Sequence, residues 1–449
     1  MKKIFNNKII TIFFLLQPVI DILTSLINLP VSIGILFRAA FILYALTYIF
    51  IKGNKWTYIY IAISSAYCLA NLIGHAKMIE NFRVGSQMSS LIHLVYFPVI
   101  LLFFYKYFYT NKNKLLDNKT FVLNALIIGL SLVLSMATNT NLCSYEKCIM
   151  HGTIAWFNSA NEIGIILVFL LTISMTYMMK SKSILPVISY LLINAFMVLI
   201  GTKTTYIAML FINIGYVLFY IVSCFIDKKR IKKYYRFNAL FLLVGIAAIV
   251  FFPMTPLKYN IDLRAQDGIE KVVDDHTEET VDIDITKEDL HDNYQIVIDD
   301  HQEEIKESQK RTVAFNGRDE FLSVNKELYK KSSLFDKFFG ITTQGHIYEN
   351  ESWNHLSEMD LFDILIYYGI FALILDLVLF LYIIVKIVIG LIKHMDLLMD
   401  SDVALPGMTL FVFLLVMWFA GHVLLQPAVG IYLAYLLIYL FMKVGVKHE

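Results

Sequence analysis

Runs of about twenty apolar residues recur along the whole chain, and nothing else in it limits the fold so tightly. Each run is long enough to cross a hydrocarbon core of about 30 Å as an α-helix. The core holds no water, so a spanning segment must satisfy its own backbone polar groups, and a helix does so. The alternating pattern of a membrane barrel is absent. Twelve spans are expected, at roughly 9–29, 31–51, 57–75, 89–107, 120–138, 160–179, 184–200, 204–226, 237–254, 361–385, 405–423 and 427–443. The expected fold class is all-α: a polytopic membrane protein with about 12 transmembrane helices and a large, partly helical extracellular loop. A mean hydropathy of +0.63 with 17% charged residues excludes an ordinary soluble enzyme. The first run passes into the second with no small-residue cleavage site between them, so it reads as a retained span.

Lysine and arginine give the orientation. With the N-terminus inside, the inner loops and ends hold 21 of them, including the DKKRIKKYYR stretch, and the short outer loops hold four: Lys77, Arg83, Lys147 and Lys203. Both termini are then cytoplasmic, and the long polar insert at 255–358 is extracellular. Three regions follow: a membrane domain with spans 1–9 (1–254), the loop domain (255–358), and spans 10–12 (359–449). The insert carries 24 acidic against 12 basic residues. Residues 287–311 and 317–331 mix apolar positions with charges in the manner of amphipathic helices. Four cysteines are too few for a disulfide framework. Cys143 and Cys148 share an outer loop, where a tight bridge and free thiols are both open.

Polar residues inside spans are costly and mark functional candidates. Asp21 and Arg38 each fall roughly 10–12 Å below the outer edge at the helical rise. They can form a structural ion pair, or Arg38 can face an anionic ligand while Asp21 tunes it. The same rim receives Asn71, His75, Asn161, Glu162, Lys203, Asp360, Asp363 and His422. Taken singly, each is more often a packing or solvated group; together they suit a site reached from the outer surface. The inner halves carry little besides Asp376. No phosphate-binding glycine loop, zinc helix or nucleophile elbow is present. The Asp282–Asp284 triplet lies in so acidic a run that chance explains it better than a metal-bound nucleotide. Nothing points to nucleic acid.

Three stretches stand out: HGTIAWFNSANEIGIIL (151–167), LIGTKTTYIAML (199–210), and the run of FNGRDEF, FFGITTQGH and EMDLFDILIYYGIFALI that closes the insert. They resemble the O-antigen ligase and polysaccharide polymerase family of bacterial membrane glycosyltransferases. The resemblance implies transfer of glycan from an undecaprenyl-diphosphate-linked oligosaccharide donor to a hydroxyl of a glycan acceptor. The reaction is expected at the outer face of the bacterial plasma membrane, without metal or cofactor, building a capsule or other envelope polysaccharide by polymerisation or ligation. A flippase and a chain-length regulator are the partners it implies, with the lipid bilayer as solvent. Lys203 stands where the family carries arginine, which keeps charge but not bidentate geometry. Glu358 stands where the family carries its proposed catalytic histidine, so the base is Glu358, His346 or His355. A carboxylate can serve if its surroundings tune it toward the working pH. Arg318, Lys203 and Arg38 are the expected diphosphate ligands, supported by Asp21, Asn161, Asp360 and Asp363. The competing class is a transporter or flippase of a lipid-linked oligosaccharide, and a third is an envelope scaffold without chemistry.

Overall fold

The computed structural model describes residues 5–26, 32–79, 81–145, 148–226, 229–278, 302–315, 317–342, 344, 357–421 and 423–445. Nine helices come first: α1 (Asn7–Leu26), α2 (Ser32–Lys52), α3 (Lys55–Met78), α4 (Val84–Phe104), α5 (Asn118–Ala137), α6 (Ala160–Met178), α7 (Leu185–Leu199), α8 (Lys203–Ile226) and α9 (Lys229–Val250). The polar region adds α10 (Pro256–Glu278), α11 (Gln302–Phe315), α12 (Arg318–Lys331) and α13 (Leu334–Phe339). The chain closes with α14 (Asp360–Asp363), a π-helical turn at Ile364–Tyr368, then α15 (Gly369–Lys393), α16 (Ser401–Phe419) and α17 (Pro427–Gly445). The described residues contain no strand, only an isolated bridge between Cys143 and Thr153. Helices α11 and α12 overlap the two stretches expected to be amphipathic, 287–311 and 317–331, of which 287–301 lies outside the described residues, and α10 is a helix that was not expected.

The protein is a polytopic all-α membrane protein. Ten described helices are long and apolar enough to cross a bilayer, one of them the continuous segment Asp360–Lys393. The seventh and ninth expected spans are shorter, Leu185–Leu199 and Tyr234–Val250. At 1.5 Å per residue the first of these is about 22 Å long, short of a full core. Local signals set several starts: Asn54, Asp117, Ser159 and Asp400 each cap a helix by accepting a backbone N–H.

Helices α6 and α17 are buried along nearly their whole length and form the centre of the bundle. Apolar packing alone does not drive association inside lipid, so small and polar side chains mark the contacts. Thr409 donates to Thr172 (2.7 Å), Ser174 and Ser189 lie 2.7 Å apart, and Asn124 donates to Phe14 O (2.6 Å). Tyr190, Asn213 and Asn194 form a buried chain between α7 and α8.

Polar groups at one end of α3 and α4 hold the turn that follows α13. Asn71 donates to Phe339 O (2.7 Å), and His75 places its ring nitrogens 2.8 Å from Asn71 O and Gly340 O. Gln87 donates to Asn71 and accepts from Thr342 (2.6 Å). Gly340 and Gly369, both in the left-handed region, pack so closely that a Cβ on Gly369 would lie 2.5 Å from Gly340 N. Asn71 and His75, expected among the polar rim, thus secure backbone.

Asp360 and Asp363 also act on backbone. Asp360, 2% exposed, accepts from Val423 N (2.8 Å) and Leu424 N (2.9 Å), tying α14 to the segment that leads into α17. Asp363 accepts from Ser357 N, Ser357 Oγ and Met359 N, fixing both neighbours of Glu358. Removing the Asp360 carboxylate strands two buried amides, a cost of about 2–4 kcal/mol. Asp360→Ala is therefore expected to lower the melting temperature in detergent and the yield of monodisperse protein, with Asp360→Asn recovering part of both. Unchanged melting would remove this role.

Candidate active site

A cavity of about 930 Å³ lies where the insert meets the ends of α6, α8 and α16. Among the described residues four cations line it, Lys203, Arg264, Lys310 and Arg318, against one carboxylate, Glu358. Its wall continues along Ile207 and Phe211 of α8 and Phe411, Leu415 and Phe419 of α16, all with substantial outward exposure. One end is therefore strongly cationic, and the other is an apolar groove between two membrane-spanning helices.

Each charged group has a structural reason to be there. Gly317, at φ 79°, turns the chain so that Arg318 heads α12. Arg318 donates from Nε (3.0 Å) and Nη2 (2.6 Å) to Glu358 Oε2. Their side chains are 16% and 42% exposed, so the pair faces the cavity rather than the core. Glu358 itself has φ 55°, and a Cβ on Gly421 would meet its carbonyl oxygen at 2.3 Å. That close approach and the Asp363 bonds hold Glu358 in an unusual backbone state, the kind of local strain that clusters at functional sites.

Lys203 heads α8, and its ammonium is buried with no hydrogen-bond partner among the described residues. Gly164 brings α6 against it: a Cβ there would lie 2.2 Å from Thr205 Oγ1. Asn161, in the first turn of α6, reaches the same cavity. Arg264 comes from α10, whose stripe Leu257, Asn260, Arg264 and Val272 is buried at helical spacing. Asn260 accepts from His151 N and donates to His151 O and Gly201 O, docking α10 on the α7–α8 turn. Arg264 is 5% exposed, and its guanidinium stands 5.5 Å over the Tyr145 ring. Burial pushes it down from its ordinary value; Tyr145 opposes this, and the nearby charge of Arg318 adds to it. Tyr145 lies in the loop closed by the Cys143–Cys148 disulfide (Cα–Cα 5.4 Å), the bridged alternative for that pair.

A family model described as O-antigen ligase like membrane protein matches residues 3–447. The chain belongs to that family. No curated protein and no solved structure gives a match. Membership in the O-antigen ligase-like family carries a membrane glycan-processing role, and the cationic cavity is where the described residues of this member could handle an anionic substrate.

Of the expected site residues, the fold brings together Arg318, Lys203, Glu358 and Asn161. Arg38 and Asp21 line a different cavity, of about 210 Å³, and pair there at 2.6 and 2.8 Å from Arg38 Nη2. Asn158 and Ser159, just before α6, line both cavities. Arg38 therefore belongs to a neighbouring chamber, because α2 packs on α1 and α4 rather than on α8. His346 and His355, the other candidate bases, lie outside the described residues, as do His422 and Asp282–Asp284. Arg264, Lys310 and Tyr145 were missed. A cation on the buried stripe of α10 was the signal for Arg264, hidden because the insert was read by net charge.

An unpaired buried ammonium is costly to the fold. Lys203→Met is expected to leave the melting temperature unchanged or raise it while transfer falls about 10–100-fold. Thermal melting and turnover on one preparation would check this; destabilisation with normal turnover would assign Lys203 to structure.

Proposed function

We propose that this protein is a glycosyltransferase at the outer face of the plasma membrane, polymerising or ligating undecaprenyl-diphosphate-linked glycan units into a surface polysaccharide. The observation that carries the proposal is the cavity whose described residues put four cations and one carboxylate at its head, with an apolar groove leading away between α8 and α16. A lipid diphosphate has that distribution: two phosphates beside the sugar, then a long hydrocarbon. Fixed cations in a site shielded from water stabilise a leaving group that gains negative charge.

In this reading the acceptor hydroxyl oxygen attacks the anomeric carbon of the donor sugar. The bond from that carbon to the diphosphate oxygen breaks, and its electron pair leaves with the diphosphate. The hydroxyl proton passes to the Glu358 carboxylate. Arg318 and Glu358 are paired before substrate enters. When the diphosphate binds, Arg318 turns to it, since a bidentate guanidinium–phosphate contact is a strong one, and Glu358 becomes available to the acceptor.

The acidic composition of the insert does not oppose this. Its described helices contribute Arg264, Lys310 and Arg318 to the cavity, and no lining carboxylate comes from α10, α11 or α12. The test is reconstitution of the full chain in liposomes with a polyprenyl-diphosphate oligosaccharide. Longer glycan and released polyprenyl diphosphate are expected. Donor that crosses the bilayer intact would instead make the protein a transporter.

A further inference from the structure

At the opposite ends of α3 and α4 from the insert lies a cavity of about 1090 Å³ that takes no part in the proposed chemistry. Among the described residues three lysines line it, Lys106, Lys112 and Lys114, and no carboxylate does. Lys106 is the telling one. As a residue it is only 5% exposed, and it lines the cavity wall. An ammonium held at a cavity wall by a largely buried side chain attracts an anion. Lys106 sits in a π-helical turn, Tyr105–Thr110, which continues α4. Such turns are uncommon and often mark functional positions. Asn111 secures this one by donating from Nδ2 to Lys106 O (2.6 Å).

The rest of the wall says what kind of anion. Leu102, Val378 and Leu379 line the cavity on the bundle side, and Val378 is half exposed. Trp56 and Tyr382, both outward-facing, stand at its rim. Tryptophan and tyrosine prefer the depth of lipid headgroups, where the ring is apolar and its polar atom wet. The lysines come at the end of a span, at that same depth. The basic loops of the sequence gather at this end of the bundle, which on the expected orientation is the side where anionic lipids attract juxtamembrane cations.

We propose that this cavity is a specific site for one anionic glycerophospholipid. Lys106 binds the headgroup phosphate inside the cavity, Lys112 and Lys114 hold its net negative charge from the loop, and an acyl chain lies along Val378 and Leu379. The described lining residues offer no carboxylate to the ammonium of a zwitterionic headgroup. The bound lipid bridges α3, α4 and α15.

Native mass spectrometry of the detergent-purified full chain, titrated with defined lipids, tests this. Phosphatidylglycerol is expected to be retained as one molecule per chain, with about tenfold preference over phosphatidylcholine. Lys106→Gln should abolish the preference. Lys112→Gln with Lys114→Gln, two exposed changes that leave the core untouched, should reduce it severalfold even if Lys106→Gln does not fold. Equal retention of the two lipids, or preference unaffected by the loop pair, would overturn the site. Displacement of phosphatidylglycerol by equimolar polyprenyl phosphate would overturn the choice of lipid and make this a carrier site.

Discussion

Arg318→Ala is expected to cut glycan transfer by about 10²–10³-fold, while single lipid-linked units accumulate on the outer leaflet. Three features make this a loss of chemistry rather than of fold. Arg318 opens a helix instead of standing within one. Its only described ion pair is with Glu358 at a partly exposed position, the kind that contributes about 0–1 kcal/mol. Its neighbours on α12 are tied down independently, by Tyr367 donating to Asn325 (3.0 Å) and by Lys271 pairing with Glu320. Melting should therefore shift little. Arg318→Lys separates charge from geometry: a lysine restores the cation but not the two-pronged contact, so partial recovery is expected. Polymer length on gels and leaflet-specific labelling of the lipid-linked units provide the readout. Accumulation on the inner leaflet would favour the transport class, and normal polymer would take Arg318 out of the site.

The membrane plan was legible because burial in lipid imposes one requirement on every span, and hydropathy reports it directly. Recognition of the family rested on short stretches of the kind that surround the cavity, which is why Lys203, Asn161, Arg318 and Glu358 could be named from them. What stayed hidden depended on which helices touch. Depth and charge suggested Arg38 as a diphosphate ligand, but the fold sets it in a neighbouring cavity, since nothing in a span's own sequence names its neighbours. Asp360 and Asp363 carried the signature of functional carboxylates, buried and at a span's mouth, yet their oxygens face backbone amides. Arg264 was lost for the opposite reason: twelve excess negative charges in the insert drew attention away from the pattern of a single buried face. Local amphipathicity, not regional charge, decides where a cation ends up.

Glu358→Gln is expected to lower turnover by about 10²–10⁴-fold, the range for loss of a positioned acid–base group, with donor binding nearly intact. The amide keeps the size of the side chain and an oxygen that can accept from Arg318, so the φ 55° backbone and the packing of Gly421 against it should persist. Only the capacity to take a proton goes. The same exchange reading gives a sharper test through a double variant. If Arg318 and Glu358 act as a unit, with Arg318 leaving the carboxylate for the diphosphate, then Arg318→Ala with Glu358→Gln should be hardly worse than the weaker single variant. If instead each contributes independently, the losses should multiply. Strong turnover in Glu358→Gln, together with loss in His346→Ala or His355→Ala, would move the proton to a histidine and reduce Glu358 to a holder of Arg318. The pH profile distinguishes these cases further. A carboxylate base that starts out paired with a guanidinium gives an acid limb that vanishes in Glu358→Gln, whereas a histidine base leaves that limb in place.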